Sequence, residues 1–220
     1  MSVVDFYKAV VQCALPPEFE ALRLAFKAQA VVRETVNDTE FEFFVSPDGI
    51  VCLRSGMGEE HAEKAAQFAI SKWHPRFYID FGVAGALAVG LVVGDVVIAE
   101  EVSDVRGFQH EASMGIFGEI PAYPDFKIFE RHRISRGKIT CENMDVIFDD
   151  QRRGVYAQTG AIAVDWESAA VARVCSRNKA EFHSFRMISH VNEDDVKRSR
   201  SPEMLRKIHS SAEILAAALV

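Results

Sequence analysis

Short apolar runs with strand character alternate with helix-forming stretches along this chain, and the alternation limits its fold more than any other feature. The first apolar run, "AVVQCAL" at 9–15, is followed directly by "PPEFEALRLAF", in which proline opens a helix. The same order returns at "IVCLRS" and "GMGEEHAEKAAQFAISKW". Alternating strands and helices indicate an α/β fold with a mostly parallel sheet, in which ligands bind where strand ends meet loops.

The other segments extend this pattern. "FEFFVS" and "IVCLRS" flank "PDG", which predicts a hairpin. "RFYIDFGVAGAL" and "GDVVIAEEV" predict two buried strands joined by a Gly/Ala loop, and the stretch near 104–127 is expected to be irregular. Three more strands are predicted at "ISRGKITC", "AIAVD" and "EFHSFRMIS", and a helix at "ESAAVARVCSRN".

The last nineteen residues before Val220 predict a closing amphipathic helix. Ser201 can cap it, and Pro202 suits its first position. We expect one apolar stripe, formed by Leu205, Ile208, Ala212, Leu215 and Leu219.

Length and composition limit the class of protein. The 220 residues, 49% of them hydrophobic, suffice for one domain over 1–220, since no Pro/Gly/Ser-rich linker divides them. A net charge of −7 argues against nucleic-acid binding, which needs clustered Lys and Arg. No apolar run of about 20 residues lacks charges, so no membrane span is expected. Asp5 precedes the first apolar run and no basic region does, which is not typical of a signal peptide.

The four cysteines, Cys13, Cys52, Cys141 and Cys175, stand singly and show no CxxC spacing. This pattern predicts free, buried thiols in a cytoplasmic protein. It also makes a metal site an unfavoured interpretation.

Glu18 follows the first predicted strand within "ALPPEFEAL". It can be a first-turn glutamate that the helix dipole favours. Alternatively, it is a carboxylate aimed into a cleft, where it would act as a general base. The loops "SGMG" and "FGVAGAL" let backbone amides approach a ligand closely, although neither is a P-loop or a dinucleotide fingerprint.

Two carboxylates flank a tryptophan where "AIAVD" turns into an alanine-rich helix. Asp165 can simply cap that helix. Glu167 can instead accept hydrogen bonds from a sugar diol, which needs a bidentate acceptor of this kind. Trp166 would then be an apolar wall beside the sugar, or else a core residue.

Arg186 lies within the last apolar strand, where a buried guanidinium needs a carboxylate or an anionic ligand. Glu18, Asp165 and Glu167 are the candidate partners. His190 follows at the strand end, where it would exchange a proton with a ligand or stand as a surface loop residue.

Taken together, these features resemble the nucleoside phosphorylase/nucleosidase superfamily, and within it the methylthioadenosine/S-adenosylhomocysteine nucleosidases. The likeness runs nearly end to end, through "VVQCALPPEFEALR", "LRSGMGEEHAEKAA", "FGVAGALAVGLVVGDVVIAEEV", "GEIPAYPDF", "AIAVDWESAAVARVC" and "FRMISHVNEDD". It implies a three-layer α/β/α sandwich around a mixed, mostly parallel central sheet that curls towards a barrel. It also implies cleavage of the N-glycosidic bond of a purine nucleoside, without a cofactor and commonly in a homodimer.

The resemblance implies a role for each matching residue. Glu18 matches the carboxylate that orients and activates the attacking water, and Glu167 the glutamate that binds the ribose hydroxyls. Arg186 matches the arginine that organises these carboxylates, with Asp165 as a supporting group. Ser189 matches the serine beside the base-recognising acid. The glycine-rich loop near the glycosidic bond corresponds to Gly82, Val83, Ala84 and Gly85.

Three positions depart from the nucleosidase pattern. His190 stands where the family has the aspartate that protonates purine N7, Val83 replaces a serine, and Trp166 replaces a methionine. An imidazolium can keep the acid role with an altered pH dependence, but the change can also mean weakened chemistry or a base other than adenine. Glu193 or Asp194 could substitute as the acid.

Further alternatives concern the substrate and the reaction. "TGAIAVDWES" and "FGVAGAL" look closer to the hopanoid-associated branch, which removes adenine from adenosylhopane, so a bulky 5′ substituent is as plausible as methylthio. A phosphorylase would need an anion site, for which Arg54 is a candidate. A nucleoside-binding protein without turnover is the third hypothesis. Asp145 or Phe148 could face the ligand.

Overall fold

The computed structural model describes residues 9–113, 115–117 and 132–220. Ten strands lie within these ranges and belong to one sheet. Their bounds are β1 Ala9–Cys13, β2 Val32–Val36, β3 Thr39–Val45, β4 Ile50–Arg54, β5 Phe77–Ala86, β6 Val96–Asp104, β7 Gln109–Glu111, β8 Ile134–Cys141, β9 Ala163–Asp165 and β10 Glu181–His190. The motif "GEIPAYPDF" at 118–126 lies outside the described residues.

The sheet is mixed and curls on itself. Its order is β10-β6-β8-β9-β5-β1-β4-β3-β2, with β7 on β6, and β10 also pairs with β5, which closes five strands into a ring. Parallel pairs join β1 to β4 and β5, β5 to β10, and β8 to β6 and β9. The expected mixed α/β sheet is therefore confirmed, and its ring brings the ends of β5, β9 and β10 together.

Six helices flank this sheet in the described part of the chain: α1 Pro16–Ala25, α2 Glu59–Trp73, α3 Asp149–Thr159, α4 Ser168–Asn178, α5 Glu193–Lys197 and α6 Pro202–Leu219. α1 and α6 pack together over one core that includes Phe19, Leu22 and Leu215. α2 and α4 pack over a second core on the other face. The arrangement matches the predicted three layers.

Local differences from the sequence predictions have physical reasons. The predicted hairpin is present as β3 and β4, but the predicted Gly/Ala loop is wrong, because Gly82 to Ala86 continue strand β5 beside β10. The apolar stripe of α6 includes Met204 in place of Leu205, which is 43% exposed. Ser201 caps α6 as expected, its side chain accepting from the Met204 amide. No described helix is long and apolar enough to span a membrane.

Candidate active site

A cavity of about 180 Å³ opens where β5, β9 and β10 end beside the start of α1. Nine of the predicted site residues line it: Glu18, Val83, Ala84, Gly85, Asp165, Trp166, Glu167, Ser189 and His190. The other two, Gly82 and Arg186, do not line the cavity. Arg186 is only 1% exposed and lies behind the carboxylates that face the ligand space.

Glu18 is fixed by three backbone amides. Its Oε2 accepts from the amides of Ala14 and Leu15 at 3.0 and 2.8 Å, and its Oε1 accepts from the Val83 amide at 2.9 Å. Pro16 and Pro17 carry no N–H, so the amides before the helix remain to be satisfied by this carboxylate. Glu18 is therefore a first-turn glutamate of α1 that also faces the cavity, and its role as a general base stays a prediction.

Burial sets the protonation of Glu18. The side chain is 1% exposed, and this desolvation raises its pKa from 4.5 to about 7, against the lowering effect of the Leu15 amide and of Arg186. A carboxylate with such a pKa can both take and release a proton near neutral pH.

Among the residues that the structure describes at this site, Arg186 is the one positive charge beside four buried carboxylates, Glu18, Asp80, Asp165 and Glu167. Its Nε lies 2.7 Å from Asp165 Oδ2, and its Nη2 pairs with Asp80 Oδ2. Gly82, its register partner on β5, leaves room for the guanidinium, because a Cβ there would lie within 3 Å of both Arg186 Nη1 and Glu18 Oε1. Burial disfavours the charge, but the carboxylates outweigh it and hold the Arg186 pKa above its usual value.

Asp165 has contacts both with the start of α4 and with the buried network. It accepts hydrogen bonds from the Ser168 amide at 3.3 Å and from the Ser168 hydroxyl, as a capping residue of α4 would. It also pairs with Arg186 and accepts from the Cys141 thiol at 2.7 Å. All four cysteines are free and buried, as the sequence predicts.

Glu167 and Trp166 follow at the start of α4. Glu167 Oε1 accepts from the Gly58 amide at 2.9 Å, so the "SGMG" loop holds this carboxylate. Burial raises the Glu167 pKa, while Arg186 lowers it. Trp166 is half-buried and forms an apolar wall of the cavity.

His190 is brought to the cavity by a register shift. Ile188 pairs with Ala84 and His190 with Gly85, so Ser189 is the extra residue. The ring packs over Gly85, where a Cβ would lie 2.6 Å from Nε2. Nδ1 lies 3.0 Å from Ser189 Oγ, which also lies 3.3 Å from the Ala84 carbonyl. Burial lowers the His190 pKa, against Asp145 and Asp195, which raise it.

Most of the alternative residues that the sequence suggests for the acid, the ligand contacts and a phosphate site do not line the cavity. Glu193 and Asp194 do not line the cavity, and both pair with Lys197. Asp145 does line it, whereas Phe148 is 52% exposed and does not. Arg54 is engaged by Glu42 at 2.8 Å.

Sequence reasoning missed two neighbours of the site. Asp80 was hidden in the apolar run "FYIDFG", although a carboxylate inside a buried strand is the same signal that marked Arg186. Met57 lines the cavity from the "SGMG" loop, which the sequence singled out only for its glycines.

One protein family matches nearly the whole chain. The phosphorylase superfamily model matches residues 8–220. The chain therefore belongs to the phosphorylase superfamily.

Individual relatives indicate which kind of enzyme within the phosphorylase superfamily this chain is. A 5′-methylthioadenosine/S-adenosylhomocysteine nucleosidase of Bacillus velezensis is 30% identical over 188 residues, which cover 76% of this chain and 79% of the relative. A nucleosidase of the same name from Shewanella loihica is 28% identical over 74% of this chain and 77% of its own length. This chain is accordingly an N-glycosidic bond hydrolase, a nucleosidase.

Solved structures share the fold. The Helicobacter pylori 5′-methylthioadenosine/S-adenosylhomocysteine nucleosidase has a TM-score of 0.82 at 18% identity, covering 97% of this chain and 98% of that one. The futalosine hydrolase of the same organism, as a mutant, has a TM-score of 0.80 at 17% identity, covering 95% and 97%.

Proposed function

We propose that this protein is a purine nucleosidase that hydrolyses the N-glycosidic bond of a 5′-substituted, adenosine-type nucleoside, with His190 as the acid. The observation that carries the proposal is one cavity lined by a buried carboxylate base, a second carboxylate for the sugar and an imidazole. In this mechanism Glu18 orients water, Glu167 binds the ribose hydroxyls and His190 protonates the leaving base.

Glu18 suits the task of a base. Departure of a purine leaves an oxocarbenium-like sugar, which nearby carboxylates stabilise. With its pKa raised to about 7, Glu18 accepts a proton from water more readily than an exposed glutamate does. Three amide donors keep the carboxylate in one orientation while the water attacks.

His190 suits the task of an acid only when it is charged. If Ser189 donates its proton to the Ala84 carbonyl, its oxygen accepts from His190 Nδ1–H. The neutral ring then has a bare Nε2, which accepts hydrogen bonds and donates none. Protonation gives Nε2 a hydrogen that can pass to N7 of the purine, and the lowered pKa of His190 makes this a feature of mildly acidic pH.

The cavity lining favours water over phosphate as the nucleophile. None of its described lining residues is a lysine or an arginine, and Arg54 is held by Glu42. A phosphate would need such cations or a set of free amides. At the start of α1, two prolines remove donors, and Glu18 takes the amides that precede them.

The nature of the substrate is inferred from relatives. The two relatives described above carry methylthioadenosine and S-adenosylhomocysteine in their names, which supports an adenine nucleoside with a 5′ substituent. Solved structures of the methylthioadenosine/S-adenosylhomocysteine nucleosidase and of futalosine hydrolase match about equally well, so the 5′ group must be tested. A bulky group remains as good a candidate as methylthio.

The test is a chromatographic assay for free base with a panel of nucleosides, with and without phosphate. The panel contains methylthioadenosine, S-adenosylhomocysteine, adenosine, inosine and guanosine. We expect adenine release that is independent of phosphate and strongest for a 5′-substituted nucleoside. Phosphate-dependent release with a sugar 1-phosphate product would make the protein a phosphorylase, and tight binding without release would make it a binding protein.

We further infer that the protein works in the cytoplasm as a homodimer. The inference rests on family likeness and, for the compartment, on four buried thiols, none of which forms a disulfide. Light scattering behind size exclusion measures the mass directly. A mass of one chain at micromolar concentration would refute the dimer.

A further inference from the structure

Asp80 is a buried carboxylate next to the catalytic residues that the proposed chemistry does not use. It is 2% exposed and does not line the cavity. It stands two residues before Gly82 on β5, so the two share one face of the strand. Its Oδ2 accepts from Nη2 of Arg186.

Arg186 divides its charge among several carboxylates. Nε pairs with Asp165, Nη2 pairs with Asp80, and Nη1 lies with Glu18 Oε1 around the empty Cβ position of Gly82. A guanidinium that already pairs with two carboxylates stabilises a third less. The charge available to Glu18 therefore depends on what else Arg186 holds.

We propose that Asp80 is a positioning residue that acts on Glu18 through Arg186. By pairing with the guanidinium, Asp80 competes with Glu18 for the buried positive charge of Arg186 and keeps Glu18 a strong enough base to activate water. This inference rests on the proposed function, in which Glu18 is the base. Replacing Asp80 by a neutral residue would leave Arg186 to the remaining carboxylates.

The surrounding groups support this competition. Glu18 is faced by Arg186 of β10, Glu167 at the start of α4 and Cys13 of β1, and Cys13 is in turn faced by Asp80 of β5. Burial raises the pKa of Asp80 and of Glu18 alike, and Arg186 opposes it for both.

Asp80 is faced in addition by Asp165 of β9, Tyr78 of β5 and Cys175 of α4. Burial raises the pKa of the Tyr78 hydroxyl and of the Cys13 and Cys175 thiols, so these groups are neutral near pH 7. The groups that remain to carry or lose charge near pH 7 are the four carboxylates and Arg186.

The test compares the pH profile of kcat/KM of Asp80→Asn with that of the wild type. Burial raises the Asp80 pKa to about 7, so near pH 5 position 80 is neutral in both proteins and their kcat/KM values should agree. Near pH 8, where Asp80 carries its charge in the wild type and Glu18 is ionised in both proteins, the variant should be slower by roughly threefold, because its base is weaker. The two profiles should therefore coincide near pH 5 and separate near pH 8.

Asp95→Asn is the matched control, since Asp95 is also a buried aspartate with an arginine partner, Arg133, but lies outside the cavity lining. Its profile should run parallel to that of the wild type. Asp80→Ser removes the same carboxylate with a smaller side chain, in case the amide disturbs packing.

The outcomes separate the two proposals. Turnover by both proteins with parallel profiles would overturn the role of Asp80 alone. If both Asp80 variants fail to fold while Asp95→Asn folds, Asp80 is a structural residue and the inference is wrong. A wild-type protein that releases no base from any nucleoside would overturn the proposed function, and this inference with it.

Discussion

The two ends of the cavity are built differently. Glu18 is held by three amides and lies beside a guanidinium that is itself paired with Asp80 and Asp165. His190 has one hydrogen-bond partner of its own side chain, the Ser189 hydroxyl, among the described residues. The ring is also only half-buried, whereas Glu18 is 1% exposed.

This difference indicates at which end of the cavity a residue can be substituted without disturbing its neighbours. A carboxylate bound into a network of charges can be altered only together with its partners. An imidazole held by one neutral hydroxyl can be exchanged for another acid with few consequences for the fold. Of the three departures from the family pattern, the one that replaces an ionisable group, His190, falls at the second end, as this reasoning expects.

The largest effect should come from Glu18→Gln. The amide cannot take a proton from water, so kcat should fall by about three orders of magnitude, within the range for loss of a general base. Nucleoside binding, measured by calorimetry, should change little. Wild-type turnover by this variant would remove Glu18 from the mechanism.

His190→Gln should reduce kcat for an adenine nucleoside by about a hundredfold, because glutamine cannot protonate N7. A p-nitrophenyl riboside provides the control, since its leaving group departs without a proton. The variant should hydrolyse that substrate at nearly the wild-type rate. An equal loss on both substrates would show that His190 acts on the sugar or the fold instead.

A pair of glycine substitutions compares the two ends directly. In Gly82→Ala the new methyl group meets Arg186 and Glu18, which their partners hold in place, so both the melting temperature and activity should fall strongly. In Gly85→Ala it meets the His190 ring, which can swing away. We expect tenfold or greater loss of activity there, with a smaller loss of stability.

Thermal melting measures the stability of the Gly82→Ala and Gly85→Ala variants, with Gly154→Ala as the control. Gly154 lies in α3 with nothing within 4 Å of its Cβ position, so alanine should be neutral or stabilising. Equal stability losses at Gly82 and Gly85 would contradict the contrast between the two ends.

The sequence predicts much of the fold, and the segments that it misses are the exposed ones. The sequence locates β1, α1, α2, α4, β10 and α6, because each is either an apolar run or a helix with an apolar face. β2 was missed because nearly all of it is exposed, and α3 because none of its residues is buried. Without an apolar stripe, a segment gives no periodic signal.

The candidate site shows two further limits. A charged residue in an apolar run stands out at Arg186, but the sequence predicts Asp80 only as part of a buried strand. It also predicts a loop at Gly82 to Ala86, since glycines favour turns, whereas in the structure the missing side chains of Gly82 and Gly85 leave room for Arg186 and His190 beside a strand. Only the pairing of β5 with β10 distinguishes these uses of glycine.

A pH dependence of stability follows from the raised pKa of Glu18. Its folded value, about 7, exceeds the ordinary 4.5, so its stabilising contribution is complete below 4.5 and is lost as pH rises through 7. The wild type should therefore melt at a lower temperature near pH 8 than near pH 5. Glu18→Gln should lack this part of the slope, because its side chain does not titrate. If the melting temperatures of the wild type and of Glu18→Gln changed equally with pH, a group other than Glu18 would be the one that titrates.

The smallest effect should come from Ser189→Ala, which tests how little holds the acid end. Without the hydroxyl, Nδ1 loses its partner, and the ring can take either tautomer and several orientations. We expect kcat/KM to fall by less than about tenfold, mainly on the alkaline limb, since a hydrogen bond that is exchanged for water changes the free energy by only about 1 kcal/mol. Ser211→Ala, which removes another buried hydroxyl bonded to the Ile208 carbonyl of α6, should leave the profile unchanged. A loss as large as that of His190→Gln would mean that Ser189 itself contacts the substrate, and the acid end would then be as closely held as the base end.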